Sequence, residues 1–146
     1  MTAVLPSVST DPPSPVVAVL PTGRPGKALL TLTAHPDPPG AVVVAVRGEV
    51  DLFTSPLLRD GLLAHLRHTG PQLIIDLSDV GFFGAAGITV LVTVGEAAMA
   101  AGVGLSVIAR TRPVLLPLRI TGLDGVLNIY PDLAHALRRP GGGPDG

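Results

Sequence analysis

A chain of 146 residues with 47% hydrophobic and only 14% charged residues is sized for one domain with a buried core, and global disorder is excluded. A net charge of −1 and 3% aromatic residues leave no basic stripe for phosphate backbones or an anionic bilayer, and no stacking platform for single-stranded nucleic acid. Cysteine is absent, which removes disulfides, thiolate metal sites and cysteine nucleophiles and fits a reducing cytoplasm.

Residues 1–26 contain Pro6, Pro12, Pro13, Pro15, Pro21 and Pro25, which break helical turns and strand ladders. The expectation is a flexible tail over 1–26, a folded domain over 27–139 and a second flexible tail over 140–146. The N-terminus carries no basic region followed by an apolar segment, so no signal peptide is expected. No apolar run reaches the roughly 18 residues that span a membrane. A cytoplasmic location, with neither a membrane nor a direct nucleic-acid partner, is the expectation.

Residues 28–33 read as a first strand, and residues 35–40, with three prolines and Gly40, as a turn. The β-branched run 41–46 reads as a buried strand. Ser55 is placed to cap a helix with Pro56 in its first turn, and Gly70 and Pro71 stop it. Leu58, Leu62, Leu63 and Leu66 share one face of that helix. Residues 73–77 are apolar almost throughout, as a central strand covered on both sides would be. A helix over 85–101 follows, then a strand over 105–109. Pro113 fits the first turn of a third helix, and Pro117 inside it predicts a short or kinked element. A strand over 126–129 and a last helix from Pro131 to about Arg139 complete the chain. Repeated βα units imply right-handed crossovers. The fold class is therefore α/β, with a mostly parallel sheet of about five strands, an antiparallel edge strand and about four helices.

Known chemistries find little purchase. Gly81, Gly84 and Gly87 lie between a strand and a helix, where an anion could bind, but match neither nucleotide fingerprint. Of His35, His65, His68 and His135, only His65 and His68 are spaced to meet. A third metal ligand is missing, so a solvated helix face is expected. Glu49 and Asp51 could work as an acid–base pair, but a strand end capping the following turn is the favoured role. No cofactor and no metal are implied, and an enzyme is not expected.

Two segments carry a resemblance. The first runs from Val42 into Gly48-Glu49-Val50-Asp51. The second is Asp76-Leu77, then Phe82, Phe83, Gly84, Ala85, Ala86, Gly87 and Ile88. Together they resemble the STAS domain of bacterial anti-sigma-factor antagonists over about 27–139. The resemblance implies a binding switch. Such proteins bind an anti-sigma factor that is also a serine kinase, and so free its sigma factor. The kinase phosphorylates a serine at the helix start that follows the central strand, and the modified form lets go. The partner surface implied here is Glu49, Asp51, Thr54, Gly84, Ala85, Ala86 and Gly87. Phe82 and Phe83 are expected to plug the core beneath it.

The chain departs from the family pattern at that helix start. The usual Asp is Gly84, and the acceptor serine is Ala85, which has no oxygen to phosphorylate. Ser78 and Thr89 are the nearest hydroxyls, and neither matches the acceptor position. Three roles stay open: an antagonist that phosphorylation does not switch there, a repurposed STAS scaffold, and a small-ligand-binding module. Oligomeric state is not readable from these residues.

Overall fold

The computed structural model describes residues 17–21, 29–37, 40–67 and 71–138. Six strands form one sheet in chain order: β1 (Val17–Pro21), β2 (Leu29–Asp37), β3 (Ala41–Val50), β4 (Gln72–Phe83), β5 (Gly104–Ile108) and β6 (Asn128–Tyr130). Neighbours β1–β2 and β2–β3 are antiparallel, and the three later pairs are parallel. Helices α1 (Ser55–Leu66), α2 (Ala85–Ala101), α3 (Arg112–Ile120) and α4 (Leu133–Arg138) connect or follow the parallel strands. The α/β class and the mixed, mostly parallel sheet are as the sequence predicts.

The packing explains the residue pattern. Leu58, Leu62 and Leu66 of α1, Val90, Leu91, Val94 and Ala98 of α2, and Val114 and Leu118 of α3 pack into one core. They meet Leu30, Leu32, Val44, Val46, Leu73, Ile75, Leu77 and Val107 of the sheet. On the opposite face Ala41, Val43, Ile74 and Ile108 lie under Leu133 and Ala136 of α4. Coverage on both sides is why residues 73–77 are apolar almost throughout.

Several boundaries differ from the sequence expectation. Val17–Pro21, inside the expected tail, pairs antiparallel with β2 and adds a sixth strand. Its Val-Ala-Val-Leu run favours a strand, and an edge strand tolerates Pro21. The other residues of 1–26, and the 140–146 tail, lie outside the described residues. Strand β2 runs on through His35 and Pro36 instead of turning. Its pairing with β1 ends at Thr33, so Pro36 meets only β3 and its missing N–H is tolerated. The last strand starts at Asn128, because Leu123–Gly125 forms a 3-10 turn just before it. Thr54, not Ser55, is the N-cap residue of α1, and its side chain makes no capping bond. Helix α3, with Pro117 inside, is short at nine residues.

Strand β4 departs most. It reaches Phe83, well past Leu77, because two bulges carry it through turn-like residues. Ala45 pairs with Asp76 but Arg47 with Asp79, and Gly48 pairs with Val80 but Glu49 with Phe82. Each shift adds one residue to β4. Leu77, Val80 and Phe83 therefore all reach the helix-facing core, although they are spaced by three. Asp76 supports the first bulge: one carboxylate oxygen accepts the Ser78 N–H at 2.9 Å and the Ser78 hydroxyl at 2.6 Å. Gly48, opposite the second, has φ +118°, which only glycine adopts without strain.

Candidate functional site

The two segments singled out in the sequence meet at the C-terminal rim of the sheet. Strand β3 ends at Val50 and β4 at Phe83, and these two residues are paired. The Gly84 N–H donates to the Val50 carbonyl at 2.9 Å, which fixes the start of α2 beside the β3–α1 loop.

That loop is held by its own polar groups. One Asp51 carboxylate oxygen accepts the N–H groups of Phe53 and Thr54, each at 2.9 Å. The Thr54 hydroxyl donates to the Glu49 carbonyl at 2.7 Å and accepts the Asp51 N–H at 2.9 Å. Asp51 thus caps the turn, the favoured of its two sequence-based roles. Thr54 is buried beneath the rim and Glu49 is exposed on it.

At the start of α2, Gly84 is extended (φ −88°, ψ −175°) and no side chain caps the helix. Ala85 is exposed, Ala86 half-buried and Gly87 buried. Gly87 is needed for close approach, not for its own backbone angles. A Cβ there would lie 2.8 Å from the Phe83 ring and 2.9 Å from Val50 Cγ1. A Cβ at Gly84 would lie 3.0 Å from the ring of Phe82, which occupies that space. Of the two other hydroxyls, Ser78 is half-buried and bonded to Asp76. Thr89 is exposed one turn beyond Ala85, and its hydroxyl donates to the Ala85 carbonyl at 3.3 Å.

Phe83 is a core plug, but Phe82 is not. The residue is 50% exposed, because the second bulge points it away from the helix layer. Leu52 (74%) and Phe53 (54%) are exposed on the adjacent loop. Sequence reasoning did not single out these two. The available signal was a pair of large apolar residues between a strand and a helix cap, where polar turn residues belong. Leu52 lines a groove with Ala86, and the Phe82 ring lies beside Gly84, so exposed apolar side chains flank the helix start. The groove, open and of about 300 Å³, runs between α1 and α2.

The histidine pair, expected on a solvated helix face, is described only in part. His65 lies on α1, and His68 is outside the described residues. Among the described residues no group of three His, Cys, Asp or Glu could hold a metal ion. No helix there is long and apolar enough to cross a membrane.

A one-sided layer of three helices on this mixed sheet, with a glycine-flanked helix start at its rim, defines a small α/β domain. The STAS domain family matches residues 34–136. The chain is 31% identical over 104 residues to the anti-sigma-F factor antagonist RsfB of Mycobacterium tuberculosis, covering 71% of this chain and 84% of the relative. It superposes on the crystal structure of an anti-sigma factor antagonist from Mycobacterium paratuberculosis with TM-score 0.70 and 35% identity, covering 75% of this chain and 92% of that one. The unphosphorylated form of the anti-sigma factor antagonist SpoIIAA shares the fold at TM-score 0.62 and 14% identity, over 74% of this chain and 94% of that one. The chain belongs to the STAS domain family.

Proposed function

We propose that this chain is an anti-sigma-factor antagonist that binds a kinase-type anti-sigma factor through the rim at residues 84–87. It works by binding and not by turnover. Similarity to the mycobacterial antagonists supports the general role. One observation carries the rest: an exposed, hydroxyl-free Ala85 on a helix start whose adjoining strand end and loop expose Phe82, Leu52 and Phe53.

Apolar surface gathered at one rim favours burial against a partner. Glu49 supplies an exposed charge at its edge, while Asp51 and Thr54 hold the loop in shape. A phosphate at a helix start would add about −1.5 to −2 charges and three oxygens to such a surface, and an apolar contact would be lost. Ala85 cannot receive one. The complex is therefore expected to persist in the presence of ATP, with the nucleotide bound by the partner.

The test mixes the purified chain with the ATP-binding anti-sigma factors of its host, with Mg-ATP, on a size-exclusion column. The proposal expects a stoichiometric complex. Failure with every such factor would point to the scaffold role, and ligand-dependent thermal stabilisation to the small-ligand role.

A further inference from the structure

We propose that the docking face continues from the start of α2 into the groove between α1 and α2. There the anti-sigma factor inserts an apolar side chain next to a carboxylate that meets Arg59. This inference rests on the antagonist function proposed above and specifies the chemistry of the partner.

The groove shares residues with the rim. Ala86 belongs to both, and Leu52 follows directly on Asp51. Its apolar lining is Leu52, Ala86 and Val90, and its polar lining includes Arg59, Thr89 and Thr93. At about 300 Å³ it has room for one or two side chains and is open to solvent. The apolar residues favour an apolar insert, since covering them removes hydrocarbon from water.

The polar side of the groove selects its neighbour. Arg59 is the one charged group in the lining. Its Nε donates to Asp60 at 3.0 Å, and both side chains of that pair are about half exposed or more. Such a surface pair is weak and easily exchanged. A guanidinium carries five N–H donors in a planar fork, so one bond to Asp60 leaves others for a second acceptor. The lining itself contains no carboxylate, so within the groove Arg59 has no acidic neighbour to hold it. A cation beside an apolar groove fits a partner segment that pairs an apolar residue with Asp or Glu.

The experiment measures binding of the full chain, by calorimetry, to the host anti-sigma factor that forms the complex described above. Arg59→Glu is expected to weaken the complex about tenfold or more, and Arg59→Lys far less. Thr93→Trp, which fills the groove, is expected to weaken it similarly. Met99→Ala is the control. Met99 is exposed, and it lies 14 residues after Ala85, roughly 20 Å along α2. Melting curves confirm that each variant is folded. Arg59→Glu binding within about twofold of the unmodified chain would overturn the inference and leave the antagonist function standing, because partner charge would then not matter. Failure of the unmodified chain to bind would sink both. A dimer of the free chain that Thr93→Trp disperses would assign the groove to a second copy and overturn the inference.

Discussion

Replacing Gly87 with Ala tests how tightly the start of α2 is clamped onto the sheet. The new methyl would sit 2.8 Å from two Phe83 ring carbons and 2.9 Å from Val50 Cγ1. Phe83 and Val50 are both buried, so neither can swing into solvent. Overpacking of this kind costs about 1–3 kcal/mol. Removing a helical glycine returns up to about 1 kcal/mol. The net expectation is a loss of about 1–2 kcal/mol, taken from those two opposing effects. In a domain of this size that is a fall in Tm of roughly 4–8 °C. Thermal and urea denaturation followed by circular dichroism measures it. Phe83→Leu alone should also destabilise, but adding it to Gly87→Ala should cost less than the sum, because the clashing ring is gone. Strict additivity, or a Gly87→Ala variant as stable as the parent, would refute the close-approach argument.

Gly95 provides the opposite case. A Cβ there meets Leu127 at 3.5 Å and Leu105 at 4.0 Å, which is ordinary contact, so Gly95→Ala should stabilise by about 0.5–1 kcal/mol in the same assay. Thr54→Val should cost about 1–3 kcal/mol, since it leaves the Glu49 carbonyl and the Asp51 N–H without their hydroxyl partner. Arg47→Ala removes an exposed 3.8 Å contact with Asp79 and should change unfolding free energy by less than about 0.5 kcal/mol. Ala85→Ser restores an exposed hydroxyl at the start of α2. With the proposed kinase-type anti-sigma factor and Mg-ATP it should gain the mass of one phosphate and lose the complex on size exclusion.

The sequence discloses the fold best where burial forces a simple pattern. Val42, Val43 and Val44, or Leu73, Ile74 and Ile75, announce buried strands because both faces of the sheet are covered there. Bulges break that pattern. Ser78, Asp79 and Gly81 resemble a turn, yet they lie inside β4, because two extra residues realign Val80 and Phe83 with the core. Alternation from Leu77 would have put Val80 on the far side, whereas the two shifts cancel by Phe82 and leave it outside. Strand β1 is hidden by its flanking prolines, since pairing at an edge depends on a partner remote in sequence. At the rim, the helix start at 84–87 was legible through its resemblance to STAS domains. The exposure of its neighbours was not. Thr54 reads as a contact residue but lies beneath the surface, whereas Leu52 and Phe53 read as ordinary apolar residues but stand on it. Exposure is decided by tertiary packing, and no local pattern encodes it.

The most direct test combines the chain with its host anti-sigma factor and Mg-ATP, and reads complex formation by size exclusion and the chain's intact mass together. A one-to-one complex with unchanged mass is the expected result, because the exposed helix start carries Ala85 in place of a hydroxyl. A gain of one phosphate, or the absence of any complex, would contradict an antagonist that phosphorylation at this rim does not switch.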